Sequence, residues 1–315
     1  MSIEIRSYIK GADDEVWIDI GNRVGAEDPE YVPGTVEQFR VMQQAPFFQV
    51  EGRFLAELDG ASVGVVNAHV DPHRAEPVGR MGGPIVDPES RRRGVGNALL
   101  DACLASLRER GMERVRCGVA DFRKDGIRML EKRGFERVRV FSDMRVSLDS
   151  IATGVGENEA VALETMARTR ENAALMVRLS NEAFAEHFGH RDTRDEEEEF
   201  WQERARELGY FDETTLARVD GEPVGFQMHG WNDRDNEKLG VNRGWIFAIG
   251  VLKPHRGKGI AKTLLIHGLR QLKAGGMTEA GLGVDDTNET GAFRLYEKVG
   301  FRVHRKSFTY ERPLD

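Results

Sequence analysis

Residues 3–8 alternate apolar and polar side chains, the period-two signature of a half-buried strand. Residues 13–24 and 35–44 instead space their apolar positions as helices do. Alternation returns at 54–58 and 63–69 around Asp59-Gly60, a dipeptide that predicts a hairpin turn. Residues 82–86 predict a strand running into a loop rich in arginine and glycine. Helical spacing over 96–110 ends at Gly111, a favourable C-terminal cap. A strand over 114–119, a short helix over 126–133 stopped by Gly134, and a strand region over 137–148 complete this half. The second half predicts the same order: a strand over 163–169, helices over 173–185 and 196–208, and a hairpin of 216–219 with 224–229 around Asp220-Gly221. A strand over 245–251, a long helix over 260–273, and elements over 280–284, 291–298 and 303–310 follow. Each half thus reads as α/β (α+β), a mostly antiparallel mixed sheet entered through hairpins and flanked by helices.

The order recurs because the sequence recurs. Residues 86–96 resemble 251–261 at an offset of 165 (259 − 94). At that offset Leu99, Leu100, Leu104 and Leu107 meet Leu264, Leu265, Leu269 and Leu272, and Gly118-Val119 meets Gly283-Val284. One inserted residue later, Glu131-Lys132-Arg133-Gly134-Phe135 meets Glu297-Lys298-Val299-Gly300-Phe301. One fold is used twice, giving domains at 1–150 and 151–315. Serine, glycine and acidic residues over 149–160 mark the joint.

Composition narrows the class. A chain of 315 residues fits two domains, and 40% hydrophobic with 31% charged residues is globular rather than disordered. A net charge of −8 argues against a protein that coats nucleic acid. Two cysteines, Cys103 and Cys117, exclude a disulfide framework or a cysteine-rich zinc module, and no metal site is expected. They read as buried small residues. No run reaches the ~18–20 apolar residues of a membrane span, and residues 1–10 lack the apolar core of a signal peptide. The expectation is a cytoplasmic monomer or homodimer acting away from membranes.

The tightest chemical signal is Arg256-Gly257-Lys258-Gly259-Ile260-Ala261, followed by Lys262, between a strand and a helix. Small residues let another group approach the backbone. The first amides of the helix lack intrahelical partners and the helix dipole is positive there, so the place suits a phosphate or pyrophosphate. A Walker loop is excluded because no glycine precedes Lys262-Thr263. The dinucleotide fingerprint is excluded because Lys262 stands where its third glycine belongs.

An arginine-and-glycine loop of this form, after a strand and before a helix, resembles the GNAT superfamily of acyl-CoA-dependent N-acyltransferases. Residues 288–301, from Asn288 through Tyr296 to Gly300-Phe301, are similar to that family's second signature. With the repeat, the resemblance covers most of the chain and implies two tandem GNAT-type domains. Ala183-Phe184-Ala185 and His187 stand in a context similar to that of tandem, mycothiol synthase-like members, but Phe188-Gly189-His190 departs from it, so no substrate carries over. The resemblance implies a coenzyme A site and acetyl-CoA as cosubstrate. The amides of 257–262 would cradle the pyrophosphate. The edge of Ile249, Gly250 and Val251 would pair with the pantetheine, and Asn288 would hydrogen-bond it. Tyr296 would protonate the leaving thiolate after direct attack by an amine. The acceptor would be a small-molecule or peptide amine. Such an amine titrates near ~10.4, so deprotonation at neutral pH costs about 4–5 kcal/mol. Glu182, His187, His190, His229 and Asp285 are candidates to assist, and no spacing singles one out.

The halves differ. The first keeps a second, weaker cradle in Val86, Arg91, Arg92, Arg93, Gly94, Val95 and Gly96. Pro84, without an amide hydrogen, matches Ile249; Leu130 matches Tyr296; and 121–125 lacks an asparagine matching Asn288. The second half is therefore expected to be catalytic and the first degenerate. A non-catalytic acyl-CoA-binding module, or transfer of a longer acyl group, stays open as an alternative. The acidic run Asp195-Glu196-Glu197-Glu198-Glu199 reads as a helix start, with Thr193 and Glu196 at capping-box spacing. Trp201 and Trp231 read as core.

Overall fold

The computed structural model describes residues 2–151, 158–288 and 291–314. The chain forms two compact units. The first comprises Met1–Val140 with Lys306–Asp315, the second Phe141–Arg305. Half of the expected joint, 152–157, lies outside the described residues.

In the first unit, strands β1 (Ile3–Ser7), β2 (Arg53–Leu58) and β3 (Ala61–His69) run antiparallel. Asp59 and Gly60 turn β2 into β3 with positive φ values of 51° and 86°. Helices α1 (Asp14–Gly25) and α2 (Val36–Met42) lie between β1 and β2 in sequence, and Thr35 caps α2 with a full capping box. The predicted strand over 82–86 is interrupted. A separate strand β4 (Val78–Met81) precedes it, and only β5 (Ile85–Val86) forms within it, because Gly82-Gly83-Pro84 breaks the ladder; both pair with β3. Helix α3 (Val95–Glu109) buries Leu99, Leu100, Leu104 and Leu107 in the main core of this unit. Strand β6 (Arg114–Ala120) runs parallel to β4, and helix α4 (Lys124–Lys132) follows it.

Strand β7 (Glu136–Ser147) leaves this unit after Val140. In the second unit, strands β8 (Ala162–Thr165), β9 (Tyr210–Val219), β10 (Glu222–Asn232) and β11 (Arg243–Val251) are successive antiparallel neighbours. Helices α5 (Arg170–Phe184) and α6 (Asp195–Arg204) connect β8 to β9. The cap of α6 falls one residue later than Thr193-Glu196 spacing predicts: the Arg194 amide donates to buried Glu197 Oε2 at 3.2 Å. Helix α7 (Asp233–Leu239), which hydrophobic periodicity does not announce, begins at Asn232, whose side chain accepts from the Asp235 amide. Helix α8 (Ile260–Ala274) buries Leu264, Leu265, Leu269 and Leu272. Strand β12 (Glu279–Asp285) runs parallel to β11 and antiparallel to 141–147 of β7. After helix α9 (Ala292–Val299), strand β13 (Arg302–Pro313) pairs through Ser307–Pro313 with β6 in the first unit's sheet. The closing strand of each sequence half is thus laid into the sheet of the other half's unit. No helix among the described residues is long and apolar enough to cross a membrane.

Candidate active site

In the second unit β11 and β12 pair from Arg243 and Glu279 only as far as Ile246 and Leu282. Beyond that point the two strands part, and Ile249, Gly250 and Val251 keep partners only on the β10 side, with Gln227, Phe226 and Gly225. A register shift at Met228 and His229 reinforces the splay. Among the described residues the strand edge beyond Ile246 is thus unpaired on the β12 side and offers backbone donors and acceptors to an extended ligand. Gly250 cannot carry a side chain, since a Cβ there would lie 2.4 Å from the Phe226 ring.

The strand ends in a single 3-10 turn, and then the glycine loop reaches α8. Gly257 and Gly259 adopt φ of 76° and 82°, and Gly259 is the N-cap with no side-chain cap bond. The amides opening α8 therefore stay free of a side-chain cap at the positive end of a fifteen-residue helix. Arg256 is committed to the protein. Its Nε donates to the Val251 carbonyl at 3.1 Å, and its terminal nitrogens donate to Glu186 at 3.0 Å and to the Ala183 carbonyl at 2.9 Å. Lys258 is exposed, Lys262 half-buried, and neither makes an ion pair among the described residues. Asn158 locks the loop, donating from its side chain to the Lys258 carbonyl and from its amide to Thr263 Oγ1, each at 3.0 Å.

Tyr296 projects from α9 and packs, with Ile249, against the same apolar cluster. Burial pushes its pKa up to about 12, so it is a neutral donor across the physiological range. Asn288 follows β12 in a turn closed by its amide on the Asp285 carbonyl, at 3.1 Å. Of the base candidates, His190 and Asp285 fall within electrostatic reach of His187. Arg256 and Glu186 do too, and burial lowers the His187 pKa first of all. His190 lies 3.3 Å from Asp192. Asp285 is occupied by the Thr287 amide and hydroxyl. His229 is buried and held near pKa 4 by burial and then by His267. Sequence reasoning missed Glu186 and Asn158. The first unit repeats the Glu186 contact as Glu27 on Arg91, but at an offset of 159 rather than 165, so insertions hide the match.

The first unit repeats this geometry. Pairing of β4 with β6 stops at Met81 and Cys117, again 165 residues before the corresponding pair (246 − 81, 282 − 117). Beyond it opens a cleft of about 1270 Å³, walled by Gly82–Val86 on one side and Gly118–Ala120 on the other. Arg91 clamps Val86 and Glu27 as Arg256 clamps Val251 and Glu186. Gly94 caps α3 at φ 93°, and Arg92 and Gly96 line the cleft while Val95 is buried behind them. Arg93 is exposed and does not line it. Buried Leu130 occupies the position of Tyr296.

The profile of the acetyltransferase (GNAT) family matches this chain twice, over residues 25–135 and 174–301. The chain belongs to the GNAT acetyltransferase family. Among curated GNAT-type relatives it is similar to the mycothiol acetyltransferase of Thermobispora bispora, 36% identical over 138 residues that cover 43% of this chain and 47% of that one. That alignment therefore spans less than half of the relative's length. The mycothiol acetyltransferase of Actinosynnema mirum is 30% identical over 262 residues, covering 81% and 82%. In fold the chain is similar to the tandem GNAT protein from the clavulanic acid biosynthesis pathway, with a TM-score of 0.77 at 16% identity over 100% and 99% of the two chains. The GCN5-related N-acetyltransferase from Sphaerobacter thermophilus gives 0.71 at 21% identity over 99% and 96%. The paired splays are thus two GNAT folds in tandem.

Proposed function

We propose that the protein transfers an acetyl group from acetyl-CoA to a primary amine and that the second unit performs the reaction. The observation that carries this reading is the parting of β11 from β12, with an unpaired strand edge leading to the uncapped start of α8. Pyrophosphate oxygens would take the amides of 257–262, with Lys258 and Lys262 supplying charge. The pantetheine would run as an added strand along Ile249, Gly250 and Val251, reached by Asn288. A backbone amide of that edge would hold the thioester carbonyl as negative charge develops on its oxygen. The neutral amine attacks the carbonyl carbon, the carbon–sulfur bond breaks, and Tyr296 gives its proton to the departing thiolate. The amine's own proton is lost to solvent or base. Arg256 acts by positioning: it ties the loop to α5 through Glu186 and Ala183.

The names of the curated relatives support a small-molecule acceptor over a peptide. Incubation with acetyl-CoA and a panel of small primary amines should release free thiol and yield an N-acetyl product seen by mass spectrometry. Absence of product with every amine, despite coenzyme A binding, would instead favour a non-catalytic binding module.

In the first unit the cleft of about 1270 Å³ exceeds the ~300–1,000 Å³ typical of small-ligand sites. It supports coenzyme A binding there through Arg92, Gly94 and Gly96, without chemistry because Leu130 has no proton to give. Calorimetry should return two coenzyme A per chain; one per chain would remove the first-unit site.

A further inference from the structure

Arg53 opens β2 and is the direct cross-strand partner of Asn67 in β3. Three aromatic rings enclose its guanidinium: its central carbon lies 4.3 Å from the Phe48 centroid, 5.0 Å from Trp17 and 5.7 Å from Phe39. Its Nε donates to the Gln49 carbonyl at 2.8 Å. Among the described residues no carboxylate pairs with it, and its terminal nitrogens make no further hydrogen bond. Burial holds its pKa below the ordinary guanidinium range, but the group remains a cation. A half-buried cation without a counter-charge is costly to keep. Beside it lies a cavity of about 310 Å³, with Phe39, Met42, Phe47 and Phe48 on its apolar side and Asn67 and His69 on its polar side. The Asn67 side-chain amide makes no hydrogen bond among the described residues.

We propose that this cavity binds a small organic carboxylate with an apolar, ring-sized body, its carboxylate paired with the Arg53 fork. The planar guanidinium matches a carboxylate through two parallel N–H···O bonds. The surrounding rings hold the guanidinium in place and would pack against the ligand's body. Asn67 adds a donor from the facing strand. The site is not a by-product of the repeated fold. The two hairpin turns are offset by 161 (221 − 60), which maps Arg53 and Asn67 onto Thr214 and Met228, themselves cross-strand partners. Neither of those residues carries a charge. The cavity also shares a wall with the large cleft of its unit. The Gly82 amide donates to the Asn67 carbonyl at 3.0 Å, and Gly82 lines that cleft. The inference does not depend on which unit is catalytic.

Calorimetric titration of the full chain with phenylacetate, phenylacetamide and inorganic phosphate tests it. Phenylacetate should saturate one site per chain, and the uncharged amide should bind at least about tenfold more weakly. Arg53→Met should abolish binding. Arg53→Lys keeps the charge but loses the fork and should weaken binding about tenfold. Circular dichroism checks the fold of both variants; if Arg53→Met unfolds, Arg53→Lys and the amide decide. No saturable binding of phenylacetate, equal binding of the amide, or unchanged binding by folded Arg53 variants overturns the proposal. Phosphate binding more tightly than phenylacetate at Arg53 overturns the carboxylate class.

Discussion

At the scale of single residues, the first unit is anchored by a buried carboxylate. Asp14 Oδ1 accepts from the Tyr8 hydroxyl, from Gln43 Nε2 at 2.9 Å and from the Gly11 amide at 3.0 Å, while Oδ2 takes Arg40 at 3.2 Å. Burial alone would raise its pKa; these donors outweigh that and hold it at about 2. The folded value lies below the ordinary carboxylate value of ~3.9. Its stabilisation is therefore complete above that pH and is lost as pH falls towards the folded value. Asp14→Asn should cost about 2 kcal/mol at pH 7, measured by urea unfolding, with the difference from wild type shrinking between pH 4 and pH 2. This network was not legible in the sequence. Asp13 and Asp14 stand together at a helix start and both are buried; only the fold shows that Asp13 pairs with Arg6 while Asp14 meets Tyr8 and Gln43. The cysteines were legible: Cys103 and Cys117 are buried, and burial pushes both thiols up to about 12.

At the scale of elements, periodicity located most helices and both hairpins, because each carries one apolar face and ends at a glycine or a turn pair. It failed where tertiary contacts decide. Residues 82–86 read as one strand leading into the glycine loop, but Gly82-Gly83-Pro84 makes no strand and lines the cleft instead. Polar α7 has no buried residues, so no apolar stripe marks it. The repeat also explains two glycines that no turn requires. A Cβ at Gly79 would lie 2.4 Å from Leu107, and one at Gly244 would lie 2.4 Å from Leu272, the same contact 165 residues apart. These glycines let α3 and α8 lie close on their sheets. Gly244→Ala should destabilise the protein by about 1–3 kcal/mol in denaturant unfolding, because the buried Leu272 has nowhere to move. Loss smaller than that would mean α8 shifts freely.

At the scale of the whole molecule, one fold appears twice with unequal equipment. Both units share the strand splay, the glycine-capped helix and the arginine clamp. The glycine-capped helix was legible because a left-handed backbone before a helix calls for glycine; the strand splay and the arginine clamp were not, since strand pairing and the Glu186 partner are set by the fold. The acceptor of the proposed reaction was not legible either, since no residue spacing in the sequence marks one. Nor was the exchange of closing strands, because β7 and β13 read as ordinary last strands of their own halves. The proposed asymmetry rests on three differences: Pro84 against Ile249, Leu130 against Tyr296, and the lack of an asparagine in 121–125 to match Asn288. The negative global charge is no guide here, because the proposed cosubstrate is itself an anion held by local amides and lysines. Paired measurements on Tyr296→Phe test the proposed chemistry most directly: turnover by thiol release with an accepted amine, and coenzyme A affinity by calorimetry. Turnover should fall about 10²-fold or more while affinity stays within about twofold. Unchanged turnover in the folded variant would contradict the assignment of the chemistry to Tyr296.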